Sequence, residues 1–293
     1  MRIIPGEIKT AQLHAYLLGA VAPRPICFAS TVDAAGNPNL SPFSFFNVFG
    51  SNPTTLVFSP SRRVRDNTIK DTLQNIYETK EVVINVVNYA MVQQMSLSSC
   101  EYPKGTDEFI KSGFTKLPSE KIKPFRVAES PVQMECKVRD IIETGTEGGA
   151  GNLIICEVLV MHINDEILND NRQIDPQKID LVARMGADYY CRASGTAVFE
   201  VAKPNTQLGI GIDSLPASIK NSKILSGNNL GQLGNVHEMP VIDPAFADDT
   251  LKNIIQYYSI NPDEMEKELH FYAKELLDKE KVTEAWQVLL ALA

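Results

Sequence analysis

Between Ser59 and Thr72 the chain reads SPSRRVRDNTIKDT, and Arg62, Arg63, Arg65 and Lys70 put four cations within nine residues. Asp71-x-x-Gln74 has the form of a capping box, with Leu73, Ile76 and Tyr77 on the buried face of the helix it would start. Thr72 then falls in the first turn, where free backbone N–H groups and the helix dipole favour an anion. Cations, hydroxyls and a helix start together make a phosphate site; a solvated basic loop beside an ordinary capped helix explains the same residues. Upstream, Ala22 to Pro60 interleaves Ser, Thr and Asn with Phe. A polar row with aromatic neighbours on strand edges can hold a large planar cofactor with a polar tail.

Other chemistries find little footing. The four histidines are scattered and HExxH is absent, so no metal site is expected. The five cysteines form no CxxC pair, four of them read as buried reduced thiols, and together they make the cytoplasm the default compartment. GTEGGAG at 145–151 lacks the Lys-Ser/Thr of a phosphate loop and reads as a hairpin tip, while GIGID at 209–213 is not a dinucleotide fingerprint. His162, at a strand end, reads as structural.

The composition is that of a soluble globular chain: 293 residues, 44% hydrophobic and 22% charged. A net charge of -8 argues against a nucleic-acid surface. No apolar run approaches the roughly 18 residues of a membrane span, and the N-terminus does not have the order of a secretory signal.

The elements that would position the polar residues are mostly strands. Ile26–Thr31 alternates, DAAGN at 33–37 turns, and Leu40–Val48 follows, with Pro42 marking an edge or irregular strand. Leu56–Phe58, the apolar run Val82–Asn88, Val132–Arg139 and Leu153–Ile163 continue the series. In Val132–Arg139 the even positions are expected inside and Gln133, Glu135, Lys137 and Arg139 outside. Short helices are expected at 7–19 and 90–98, and a polar loop at 101–113. About seven strands with few helices predict a mainly β fold, a closed antiparallel barrel with peripheral helices, over residues 1–204. Residues 205–293 read as a separate extension, loop-rich to 247 with an Asn/Gly run at 227–235, then helical from Asp249.

PRPICFASTVDAAGNPNLSPFSFFN, followed by KDTLQNI and VVINVVN, resembles the flavin reductase-like, FMN-binding split-barrel family, which includes flavoredoxin and the reductase components of two-component flavin monooxygenases. EYPKGTDEF and ARMGADYY are similar to later family segments, and the likeness covers roughly 15–200. The resemblance implies a split-barrel homodimer with FMN near the subunit interface. It places Ser30 and Thr31 near the flavin phosphate or ribityl chain, and Ser44, Phe45, Phe46 and Asn47 along the ring and ribityl. Ser59 and Arg62 would border the phosphate, with Lys70 and Thr72 at it; which of Arg62, Arg63 and Arg65 faces inward is open. No catalytic side chain is expected, because the flavin carries the chemistry.

Three functions follow. The first is NAD(P)H-dependent reduction of FMN, as diffusible product or bound carrier. The second is flavoredoxin-like electron transfer, with tightly held FMN reduced by a protein donor. The third is a barrel scaffold whose helical tail docks a partner.

Overall fold

β-Branched and aromatic residues alternate through much of the first half of the chain, and there they form one antiparallel sheet. A computed structural model describes residues 1–204 and 207–291; the domain start expected at residue 205 lies outside the described residues. Chain contacts divide the protein into two units, Met1–Phe199 and Glu200–Ala293.

The first unit opens with α1 (Thr10–Ala20), then β1 (Cys27–Val32), β2 (Pro38–Phe43), β3 (Phe46–Ser51) and β4 (Thr54–Phe58). α2 (Asp71–Thr79), β5 (Glu81–Val86), α3 (Val92–Leu97) and α4 (Glu108–Ser112) follow. The short pair β6 (Lys116–Leu117) and β7 (Arg126–Val127) precedes the long hairpin of β8 (Val132–Glu143) and β9 (Asn152–Ile163). α5 (Pro176–Ile179), β10 (Val182–Arg184) and β11 (Tyr190–Arg192) complete the unit.

The main sheet has seven strands in the order β2-β1-β5-β8-β9-β4-β3. The expected closed barrel is therefore corrected: β2 and β3 are edges, and no ladder joins them. Prolines at 38 and 42 remove N–H donors from β2, which suits an edge strand. The two edges are nevertheless consecutive in sequence, separated only by Ser44 and Phe45. Three Cα–Cα steps span at most about 11 Å, so the sheet has to curl until its edges nearly meet. The single strand expected over 40–48 is broken at this crossing. Helix also exceeds strand, 32% against 24%, so the chain as a whole is not mainly β.

One face of the curled sheet buries Cys27, Ala29, Phe43, Phe58, Ile84 and Ile154 around Leu73 and Ile76 of α2. The other face buries Phe28 and Leu40 under Met91, Met95, Phe109 and Phe114. α4 thus replaces the polar loop expected at 101–113, because Phe109 and Glu108 point inward. Glu135, expected outside, is fully buried. Its carboxylate accepts the Glu120 and Lys121 N–H groups at 2.9 and 2.7 Å and lies 2.8 Å from His162 Nε2.

The second unit comprises α6 (Ala217–Lys220), α7 (Gly227–Gly234), α8 (Asp249–Tyr257), α9 (Pro262–Leu277) and α10 (Val282–Leu290). They pack around Trp286, Leu233, Leu269 and Leu277. The Asn/Gly run expected as loop is α7, started by a capping box between Ser226 and Asn229. Among the described residues no helix is long and apolar enough to cross a membrane.

Candidate functional site

The basic loop at 59–70 has no regular structure and takes its shape from the tip of the β8–β9 hairpin. Arg62 N–H donates to Ala150 O at 2.8 Å, and Gly149 N–H donates to Arg62 O at 3.0 Å. A Cβ on Gly148 would lie 3.0 Å from both Arg63 O and Val64 O, so a larger residue here would press on the backbone of the loop. Ser59 Oγ accepts the Asn152 N–H at 3.0 Å, and Asn152 Nδ2 donates to Pro60 O at 2.8 Å. Ser59 therefore fastens the start of the loop to β9.

The three arginines separate by partner. Arg62 folds back onto Asn67, donating to its Oδ1 at 2.6 Å and its carbonyl at 2.9 Å. Arg65 is exposed and pairs with Asp66 and Glu101. Arg63 donates to Thr68 Oγ1 at 2.8 Å and Ile69 O at 3.0 Å, with its Nε 3.3 Å from Glu101. Arg63 is thereby aimed along the chain towards Lys70. Burial, then the charge of Arg63, lower the Lys70 ammonium below the ordinary lysine value. Lys70 Nζ donates to Ser41 Oγ at 3.2 Å and lies 5.0 Å from the centre of the Phe43 ring. No ion pair to Lys70 is present among the described residues.

Lys70 is also the N-cap residue of α2, and no side chain caps that helix start. The capping box expected from Asp71 and Gln74 does not form, since Gln74 turns along the helix to Glu78. Thr72 lies behind Lys70, fully buried, and donates to Asn39 Oδ1 at 2.7 Å. Thr31, also fully buried, makes a longer bond to the same oxygen and accepts from Asn75 Nδ2 at 3.1 Å. Asn39 Nδ2 in turn donates to Glu108 Oε1 at 3.1 Å, and Glu108 Oε2 accepts the Leu40 N–H at 3.0 Å. The Glu108 contact orients the Asn39 amide, so both threonine protons are directed to its oxygen.

Ser44 and Phe45 form the crossing from β2 to β3. Arg24, buried between these parts, donates to Ser44 Oγ at 3.4 Å, Leu18 O at 2.5 Å and Met185 O at 2.8 Å. Burial, then the nearby Arg184, lower its guanidinium from the ordinary value. Phe45 is partly exposed and meets His14 edge-on at 6.1 Å, whereas Phe46 packs against the core. Asn47 is exposed, and its Oδ1 accepts the Val48 N–H at 2.8 Å.

Lys70, Ser41 and Phe43 therefore meet directly, and Ser44–Asn47 continue from them along the chain. Thr31 and Thr72 stand behind this cluster in the Asn39 network, while Ser59 and Arg62 brace the loop. Ser30 is not brought to it. Its register opposite Leu40 and Val83 turns it to the face bearing Phe28, where its hydroxyl is buried without a hydrogen-bond partner. Sequence reasoning missed Asn39, Asn75, Glu108 and Arg24; Glu108 in the DEF of EYPKGTDEF and Arg24 between two prolines were the available signals. Among the described residues there is no metal-ligating cluster. A cation without an ion pair among the described residues, beside an arginine and at an uncapped helix start, is suited to an anion such as a phosphate.

Residues 19–177 match the family described as flavin reductase like domain. An uncharacterized protein of Aquifex aeolicus is 35% identical over 201 residues, covering 69% of this chain and all of that protein. Component B of nitrilotriacetate monooxygenase from Bacillus cereus superposes with a TM-score of 0.64 at 25% identity, over 69% of this chain and 98% of its own. The 2-nitrobenzoate 2-nitroreductase NbaA of Pseudomonas fluorescens shares the fold, with a TM-score of 0.62 at 24% identity over 74% and 99% of the two chains. The family match ends before the second unit begins.

Proposed function

The chain belongs to the flavin reductase-like family, and on that premise we propose that it binds FMN and reduces it with NAD(P)H, supplying or carrying the reduced flavin. The observation that carries this reading is Lys70, without an ion-pair partner among the described residues, at the uncapped start of α2 and in contact with Ser41 and Phe43 just before the Ser44–Phe45 crossing. Lys70 and Arg63 would hold the phosphate, with Ser41 as a further donor. Ser44, Phe45 and Asn47 would border the ribityl chain and the ring. Bound FMN supplies the hydride acceptor, at ring N5. The protein residues then have to orient the ring, shield one side of it from water and leave the other open to the donor.

A homodimer and a cytoplasmic setting belong to the same proposal. Support for the dimer comes from β3, a free edge with Val48 and Phe49 exposed next to Phe45. The free cysteines are compatible with a reducing compartment. The test is the visible spectrum of the purified protein with added FMN, followed by anaerobic NADH or NADPH. A flavin spectrum that bleaches with either nucleotide is expected. Bleaching by a reduced ferredoxin-type protein but not by nucleotide would assign an electron carrier instead. A protein that takes up no FMN would remove the reading.

A further inference from the structure

The anion-binding loop faces a carboxylate of its own chain. Glu101 lies on the irregular segment between α3 and α4, more than thirty residues from the loop in sequence. It bridges two of the loop's cations, with Oε1 3.3 Å from Arg63 Nε and Oε2 on Arg65 Nη2. These hydrogen bonds hold its carboxyl below the ordinary glutamate value, so it is charged at neutral pH. Of its two partners, Arg63 is the one aimed towards Lys70.

We infer that Glu101 is an internal counterion of the phosphate site, which a phosphate monoester must displace from Arg63 in order to bind. The inference rests on the FMN reading and adds how tightly the site holds its ligand. A phosphate reaching both Lys70 and Arg63 carries nearly two negative charges to the place where Glu101 already supplies one. The two anions repel, and the guanidinium fork serves one of them well at a time. Binding therefore exchanges one carboxylate for one phosphate rather than filling a bare cationic pocket. The exchange weakens retention of FMN, while Glu101 keeps its second partner, Arg65. It suits a protein that releases its flavin more than one that stores it.

The relation has a definite sign. Removing the charge of Glu101 should tighten phosphate-bearing ligands and leave those without phosphate alone. Glu101 is half-exposed, and its pairs lie at the surface, so the fold itself should barely notice.

The experiment compares wild type and Glu101→Gln for the affinity of FMN and of riboflavin at low ionic strength, and for thermal stabilisation by inorganic phosphate. Glu101→Gln should bind FMN about threefold to tenfold more tightly and riboflavin unchanged. FMN affinity equal to or weaker than wild type overturns the inference. Should neither protein bind a flavin, the FMN reading alone falls, and inorganic phosphate decides. Greater stabilisation of Glu101→Gln than of wild type then upholds the counterion role, and equal shifts overturn it.

Discussion

Phe43 on β2 and Phe58 on β4 are separated by four strands in hydrogen-bonding order, yet their ring centres are 5.5 Å apart. This contact holds the curled sheet together across its unladdered side, one residue away from Ser44. Phe58 is fully buried. Phe58→Ala should destabilise the protein by about 3–5 kcal/mol and weaken FMN binding as well, because the crossing loses its support. Urea unfolding and flavin titration measure both; a loss in stability with FMN affinity untouched would separate the contact from the site.

Lys70 and Thr72 should respond differently to truncation. Lys70→Ala removes a charge-assisted donor, worth about 1.5–3 kcal/mol, so FMN affinity should fall roughly tenfold to a hundredfold while riboflavin affinity stays. Thr72→Ala leaves Asn39 short of a donor and should cost about 1–2 kcal/mol of stability, with a smaller effect on FMN. If Thr72→Ala instead weakens FMN as strongly as Lys70→Ala, the threonine contacts the phosphate directly.

Glu108 gives a dependence on pH. Burial raises its carboxyl above the ordinary glutamate value, against the lowering hydrogen bonds from Leu40 and Asn39. A carboxyl raised in the folded state favours folding below its unfolded value and loses that contribution as pH rises through the folded one. The stability of wild type minus that of Glu108→Gln should therefore be larger near pH 4 than near neutrality. Thermal melts of both proteins across this range provide the check, and a difference that grows with pH would contradict the assignment.

The β3 edge should control assembly. Val48 and Phe49 project from a strand with no neighbour on one side. Phe49→Glu puts a charge there without touching the core, and the proposed dimer should dissociate to a folded monomer in sedimentation experiments. An unchanged dimer would move the interface elsewhere.

Much of this arrangement was legible in local sequence. Alternation found β1 and β8, the apolar run at 82–88 and the long strand expected at 153–163 marked β5 and β9, and the 3.6-residue pattern found α8, α9 and α10. The crossing at Ser44–Phe45 was not legible. Phe43 to Phe46 reads as continued strand, and only the tertiary closure of the sheet makes it a change of edge. Glu135 and Glu108 were missed for a related reason: alternation says which side a residue faces, not whether loop or helix covers that side. Ser30 and Thr31 mark the limit of family resemblance. Adjacent strand residues face opposite ways, so at most one of them can look towards Lys70. At the basic loop, four cations within nine residues gave the charge, but only the partners of each arginine, Asn67 for Arg62, Asp66 for Arg65, and Thr68 and Ile69 for Arg63, tell them apart.

The two-residue crossing also bears on how a planar ring gains access. In a fully laddered cylinder, making a gap means breaking a row of interstrand bonds together. Here β2 and β3 share no such row. The crossing is tied to β4's end by a single backbone bond, from Ser59 N–H to Phe45 O at 2.9 Å. At Ser44 and Phe45 the wall is therefore closed by the covalent chain and by side-chain packing such as Phe43 on Phe58, not by a ladder. Its gauge is set by covalent length, so an inserted residue at this point would widen the cleft rather than slip a register.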